Sequence, residues 1–290
     1  MNYLIHILII INIYIIITVS TNLLVGMANL LSLGQAAFYG IGAYLAVFAL
    51  MLLKLPLIPT IVLVMLGTAL SSLLVAYPSL RLKGDYFVLA TLGFQLIIFT
   101  ILYNWIPVTR GPYGIPGIPA PQFLGFMPIS GLYGFLILSS LLAVLTSGIF
   151  YKMIHSPFGR VLKAIRDDEV AVQSLGRNVT AFKIWAFVIS SAFIGMAGII
   201  YATYVSYIDP TSFDLNEAIF ILAAVLIGGT GNTRGPIVGA VFVIVLPELL
   251  RFVGFPDSIA ANMRQIIYGM TLIILMYFRP QGLAGEFRFK

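Results

Sequence analysis

A chain of 290 residues that is 60% hydrophobic and only 9% charged, with a mean hydropathy of +1.05, is not a soluble globular domain, which carries about a quarter charged residues. The absence of cysteine excludes disulfides, thiolate metal sites and cysteine nucleophiles, and a formal net charge of +6 in so apolar a chain reports topology rather than an acidic partner such as nucleic acid. Apolar residues run in continuous blocks rather than alternating, which specifies an all-α, polytopic membrane helical bundle and excludes a β-barrel.

Hydropathy places spans at 3–20, 23–53, 56–77, 86–104, 131–152, 182–206, 217–230, 236–252 and 262–278, nine or ten crossings in all. The first, within MNYLIHILIIINIYIIITVS, lacks the cationic start and small-x-small site of a cleaved leader and reads as a retained span. The second block is too long for one upright helix and short for two. Gly26, Asn29, Ser32, Gly34, Gln35, Gly40 and Gly42 interrupt it, which predicts a tilted, broken or re-entrant helix. Asn22, Asn29, Ser32, Gln35 and Tyr39 recur there at roughly helical spacing, and Gln95, near Thr91 and Gly93, is a further polar group inside a span. Groups of this kind either hydrogen-bond between helices or face a water-filled cavity. Residues 105–130 are turn-rich and nearly uncharged, and are expected to pack over one membrane face.

The stretch SPFGRVLKAIRDDEVAVQSLGRN, 156–178, holds seven of the chain's 26 Asp, Glu, Lys and Arg residues. Gly159 to Arg166 is expected to continue the preceding span, with Val161, Leu162 and Ile165 on one side and Arg160, Lys163 and Arg166 on the other. Asp167 or Asp168 then caps a second, short helix; Glu169 sits in its first turn and Gly176 ends it. Val170, Ala171, Val172 and Leu175 give that helix a partly apolar face suited to a groove on a partner. The alternative is a solvated loop that spaces two spans.

Further along, Gly228 and Gly229 either unwind a helix or let helices approach, and Gly231, Gly235 and Gly239 form two G-x-x-x-G steps that favour close packing. Glu248 and Arg251 stand i,i+3 and either pair or leave Arg251 for an external partner. Glu248 is the only acidic residue well inside a predicted span, and it lies towards one end. His6 and His155 have no ligand partners in spacing, so no metal is expected. No G-x-x-x-x-G-K-[ST] loop occurs, GGTGNTRGP lacks the lysine, and no catalytic constellation stands out; the chain is not expected to be an enzyme or to bind ATP by that route. With 156–178 and the C-terminus placed in the cytoplasm, twelve of the sixteen Lys and Arg residues lie inside, and Lys54, Arg110, Arg251 and Arg264 lie outside.

Four segments in order, LRLKGDYFVLATLGF (80–94), TRGPYGI (109–115), RVLKAIRDDEVAVQSLGRNVTAFKIWAFVISSAFIGMAGIIYA and DPTSFDLNEAIFILAAVLIGGTGNTRGPIVGAVFVIVLPELLR, resemble LivM-type permeases. These are membrane subunits of ABC importers for branched-chain amino acids, and the likeness is collinear over about residues 20–285. It implies a type II importer-like bundle, one permease domain over 1–290 and a cytoplasmic coupling loop at about 154–181. Ala164, Arg166, Asp168, Glu169, Ala171 and Gly176 map onto the coupling pattern. The resemblance also implies a second related permease subunit, two ABC ATPase subunits that use the ATP, an external substrate-binding protein, and no cofactor on this chain. The expected location is the bacterial cytoplasmic (inner) membrane, multi-pass, with a cytoplasmic C-terminus. For a small zwitterionic substrate, Asn29, Gln35 and Gln95 are candidates for the path, with Gly228 and Gly229 as further ones. Importers of urea or short amides share these motifs. A carrier working without ATP is a third reading and usually needs an ionisable or carbonyl-rich site near mid-membrane.

Overall fold

The computed structural model describes residues 2–82, 84–123, 127–129, 131–252, 266–267, 269–270, 273–274 and 282–285. Helix α1 (Asn2–Asn22) runs on through a π-helical turn at Leu23–Met27, so a single 26-residue apolar stretch occupies Asn2–Met27. The chain then leaves helical geometry over 29–34 and resumes as α2 (Gln35–Met51). The long block is therefore broken, and its polar residues do not share one helical face. Asn22 belongs to α1, Asn29 and Ser32 to the break, and Gln35 and Tyr39 to α2. Asn29 takes a left-handed φ of 52°, and the freed amides find other acceptors: Leu30 N–H donates to Leu24 O, Leu33 N–H to Thr91 Oγ1 (3.1 Å) and Gly34 N–H to Ser32 Oγ. A break inside an apolar bundle persists only when its backbone groups are satisfied in this way.

Next come α3 (Leu57–Ser79), α4 (Asp85–Asn104) and the single turn α5 (Ile106–Thr109). Short strands β1 (Ile115–Pro116), β2 (Gln122–Phe123) and β3 (Met127–Pro128) precede α6 (Gly131–His155), α7 (Pro157–Asp167), α8 (Glu169–Ser174) and α9 (Val179–Val205). The chain continues through β4 (Tyr207–Ile208), a 3-10 turn at Pro210–Phe213, α10 (Leu215–Gly228) and α11 (Arg234–Phe252). Among the described residues six stretches are long and apolar enough to cross a membrane: 2–27, α3, α4, α6, α9 and Pro210–Gly228. The apolar α2 is shorter, α11 spans 19 residues, and the expected span at 262–278 falls largely outside the described residues.

Helix α9 is the central post: it packs on α2, α3 and α1, while α6 and the α10–α11 pair lean on α1. Association of apolar helices in lipid gains little from hydrophobicity and depends on close contact. Glycines provide it where α2 crosses α9. A Cβ on Gly42 would stand 2.4 Å from Gly195 Cα, and one on Gly198 would stand 2.5 Å from Ala43 N. At one end of the bundle β1 pairs antiparallel with β4, Ile115 opposite Ile208, which ties the 105–130 connection to the end of α9. The start of α1 lies at this same end, where Tyr3 donates to the Glu248 carboxylate and His6 Nδ1 shares a 2.6 Å hydrogen bond with the Tyr204 hydroxyl. The α7–α8 pair occupies the opposite end, against the π turn and the first part of α9.

Gly42→Leu is expected to force α2 and α9 apart at a cost of about 1–3 kcal/mol, lowering the detergent melting temperature by several degrees. Gly148→Ala, with no neighbouring atom within 4 Å of the added Cβ, is the matched control and should leave the melting temperature unchanged or slightly raised.

Candidate functional site

The charged segment folds as two helices separated from α6. Ser156 is extended, its Oγ accepts from Gly159 N–H, and Pro157 opens α7, so the chain bends where a continuation of the span was expected. Gly159 is the close-contact point of the bend, since a Cβ there would lie 2.4 Å from Ile154 O. Helix α7 buries Leu162 and Ile165 against the bundle and leaves Arg160 outward.

Of the two candidate caps, Asp168 takes the role: it is extended, and its Oδ1 accepts from Val170 N–H (2.9 Å) and Ala171 N–H (3.0 Å). Asp167 instead accepts from Arg166 Nε at 3.0 Å. Gly176, at φ +75°, ends the segment with its N–H on Gln173 O. Only Val172 of α8 is buried; Val170 and Leu175 stand 73% and 80% exposed. Asp168, Ala171 and Gly176 are likewise exposed on the knob that α8 forms, and Ala164 is exposed on α7.

The other two predicted residues turn inward. Glu169 accepts from Lys183 Nζ at 2.7 Å, holding α8 to the start of α9. At this partial exposure such a pair positions more than it stabilises. Arg166 Nη1 donates to Gly26 O at 3.0 Å, joining α7 to the π turn directly before the break. Neither Lys183 nor Gly26 was singled out as a partner from sequence, because each lies far outside helical spacing of the residue it meets.

The same turn meets the loop between α10 and α11. Asn22 Nδ2 donates to Asn232 O (2.8 Å), Asn232 Oδ1 accepts from Gly235 N–H at the start of α11, and Asn232 Nδ2 donates to Ala284 O. A Cβ on Gly228 would lie 2.1 Å from Gly235 O, and Gly229 has φ +95°. These two glycines close α10 and let α11 approach it.

Among the remaining predicted path residues, Asn29 is exposed. Gln35 is fully buried with neither amide atom partnered. Gln95, also fully buried, donates from Nε2 to Phe213 O at 2.8 Å and leaves Oε1 unpartnered. The Leu33–Thr91 hydrogen bond ties the break to α4 one turn from Gln95, and Gln35 follows the break as the first residue of α2.

The 3-10 turn that receives Gln95 sends Phe213 into the bundle, where it is buried beside Gly40 and ringed by Tyr39, Tyr44 and Tyr201. One turn on, Glu217 accepts a 2.5 Å hydrogen bond from the Tyr14 hydroxyl, and its own N–H donates to Asp214 Oδ1. Glu217 therefore lies within the apolar stretch Pro210–Gly228, which corrects the expectation that Glu248 is the only acidic residue well inside a span. Hydropathy put Glu217 at the edge of its span; the D-x-x-E pattern at Asp214–Glu217, a helix-start signature, was the signal available. Glu248 is bonded to Tyr3, and the side chain of Arg251 lies outside the described residues. Among the described residues no group of three or more metal-ligating side chains occurs.

The chain matches the family model described as "Branched-chain amino acid transport system / permease component" over residues 3–276. It is 35% identical to the high-affinity branched-chain amino acid transport system permease protein LivM of Salmonella typhimurium, over 93% of this chain and 67% of that protein. The Escherichia coli protein of the same description is 34% identical over the same shares. The probable branched-chain amino acid transport permease protein LivM of Methanocaldococcus jannaschii is 28% identical over 72% of this chain and 62% of that protein. No solved structure matches the chain.

Asp168→Ala is expected to weaken α8 by about 1 kcal/mol, raising hydrogen–deuterium exchange at the 169–174 amides about fivefold. Asp168→Asn, which keeps an acceptor oxygen, should exchange close to wild type.

Proposed function

The chain belongs to the family of permease components of branched-chain amino acid transport systems, and on that premise we propose that it is the translocation subunit of an ATP-driven importer of branched-chain amino acids. It is a multi-pass membrane protein of a transport system and not itself an enzyme. The observation that carries the mechanism is the knob formed by α8, a capped helix with Val170 and Leu175 exposed at one end of the bundle. An exposed apolar pair on a short, fixed helix suits a groove on another subunit. The segment 154–181 is then the coupling loop of a single permease domain, and separate ATPase subunits bind and hydrolyse ATP.

Closure of the ATPases would move α8 and α7 together, since Asp168 joins them and Arg166 and Glu169 hold both to the bundle. The Arg166–Gly26 contact passes that displacement to the break at 29–34, beside the buried Gln35 and one turn from the level of Gln95. Alternating access follows if nucleotide state and the substrate-binding protein favour different arrangements of these elements. With α8 in the cytoplasm, the 105–130 connection and Asn2 lie outside, where the binding protein docks. The nine-crossing count then applies, the C-terminus is cytoplasmic, and a second permease subunit completes the pathway. The names of the relatives favour branched-chain amino acids over urea or short amides, and the family assignment disfavours a carrier independent of ATP.

When all subunits are supplied to proteoliposomes, Ala171→Arg is expected to cut ATP-dependent leucine uptake about tenfold or more by spoiling the docking face, and in a pull-down from membranes the subunit is still inserted but recovers less ATPase. Wild-type uptake in that variant would overturn the coupling assignment. Gln95→Leu should slow uptake with assembly intact, and an unchanged rate and affinity would return Gln95 to a packing role.

A further inference from the structure

Three carboxylates, Asp209 and Asp214 on the turn that leads into α10 and Glu217 in its first turn, are each met by neutral donors. Asp209 receives the hydroxyls of Thr211 and Ser212, Asp214 receives Asn216 Nδ2 and Glu217 N–H, and Glu217 receives the Tyr14 hydroxyl. The ion pairs formed among the described residues, Arg166–Asp167 and Lys183–Glu169, are both at the far end of the bundle. Glu217 is the deepest of the three. Its partner Tyr14 is midway along the Asn2–Met27 stretch, and Glu217 itself belongs to an apolar span. A carboxylate in such a position is costly, and where it persists it marks a substrate or ion route.

The surroundings specify what that route would accept. Tyr39 and Tyr201, their rings 5.5 Å apart, pack on Phe213, and the next residue, Asp214, accepts from Glu217 N–H. Two fully buried or nearly buried polar atoms around the same phenylalanine have no partner: the Tyr44 hydroxyl, whose ring is 6.3 Å from Phe213, and Gln95 Oε1, whose amide is anchored on Phe213 O. A carboxylate and free acceptor oxygens together match a cation rich in N–H donors.

We propose that Glu217, with Tyr14, Tyr39, Tyr201 and Gln95 around it, forms a station midway through the bundle that binds the primary ammonium group of the translocated substrate. The inference rests on the amino-acid reading above and adds to it a named contact for one end of the zwitterion. Glu217 is a substrate-recognition residue on this account, and Tyr14 orients its carboxylate.

The test uses the complete importer in proteoliposomes. Glu217→Gln keeps the size of the side chain and an acceptor for Tyr14 but removes the charge. It is expected to lower the maximal rate of leucine uptake about tenfold or more, while ATP hydrolysis stimulated by the loaded binding protein persists; Glu217→Asp should recover part of the uptake. Leucine uptake at the wild-type rate in Glu217→Gln overturns the inference. If Glu217→Gln fails to assemble, the wild-type complex decides by mass spectrometry after treatment with an apolar carbodiimide during turnover. Isoamylammonium is expected to lower the total modification of Glu217, N-acylurea and isoamyl amide counted together, and isovalerate is not. Equal labelling with and without the ammonium compound, or no labelling during turnover, overturns the inference as well. Wild-type vesicles that import no branched-chain amino acid would instead sink the functional reading on which it rests.

Discussion

A peptide group that leaves helical geometry inside an apolar bundle needs a hydrogen-bond partner from another element, because no water is there to supply one. This requirement organises the molecule around residues 29–34. The break draws on Thr91 of α4 and Ser32 for its amides, and the Gly26 carbonyl just before it accepts from Arg166 of α7. Each partner brings its helix with it. The interruption thus fixes where α4 and α7 sit, and it is the point at which the membrane bundle and the charged helices become one mechanical unit. The second irregular stretch, 209–214, follows the same logic, with Gln95 reaching from α4 to the carbonyls of Phe213 and Asp214.

Elsewhere the bundle adds close helix contact to scattered inter-helix hydrogen bonds such as Asn12 to Ser139 and Ser190 to Ser20 O. Gly42, Gly195 and Gly198 bring α2 and α9 into backbone contact, and Gly228, Gly235 and Gly239 do the same for α10 and α11. In lipid, where apolar side chains gain little by leaving their surroundings, such approach is the main source of helix association. A rigid post of this kind suits a transport subunit. On the proposed function, movement delivered at α7–α8 would be passed to the broken segment rather than absorbed by loose packing, because α1 and α2, which flank the break, both pack on α9.

The two ends of the bundle differ in chemistry, and the difference parallels the division of labour in an importer. One end carries the exposed knob of α8 with its basic and acidic neighbours. The other carries Tyr3 on Glu248, Asp209 capped by the Ser212 hydroxyl and a short antiparallel pairing of β1 with β4 at the end of α9. Gln35, with an unpartnered buried amide, lies between them. Polar atoms left unpaired in a buried site are uncommon in native proteins and call for an explanation; a route for a polar solute is one that fits a pair of such amides at Gln35 and Gln95.

Much of this was legible in the chain itself. Continuous apolar blocks determined a helical membrane bundle, because about 20 such residues suffice to cross the hydrocarbon layer. The D-D-E run followed by Gly176 determined a short capped helix, because capping and the left-handed glycine stop act within a few residues. What the sequence left open was decided by contacts far apart in the chain. Asp168 rather than Asp167 became the cap because Asp167 is drawn to Arg166, which itself reaches back 140 residues to Gly26. Asn22 and Gln35 parted onto different helices because a π turn and a left-handed Asn29 intervene, stabilised by a hydroxyl from α4. Glu217 stands at the edge of an apolar run, and Tyr14, 203 residues earlier, holds it within the bundle. Local rules govern which residues begin and end a helix; which buried polar group meets which depends on how the helices pack, and only the folded arrangement specifies that.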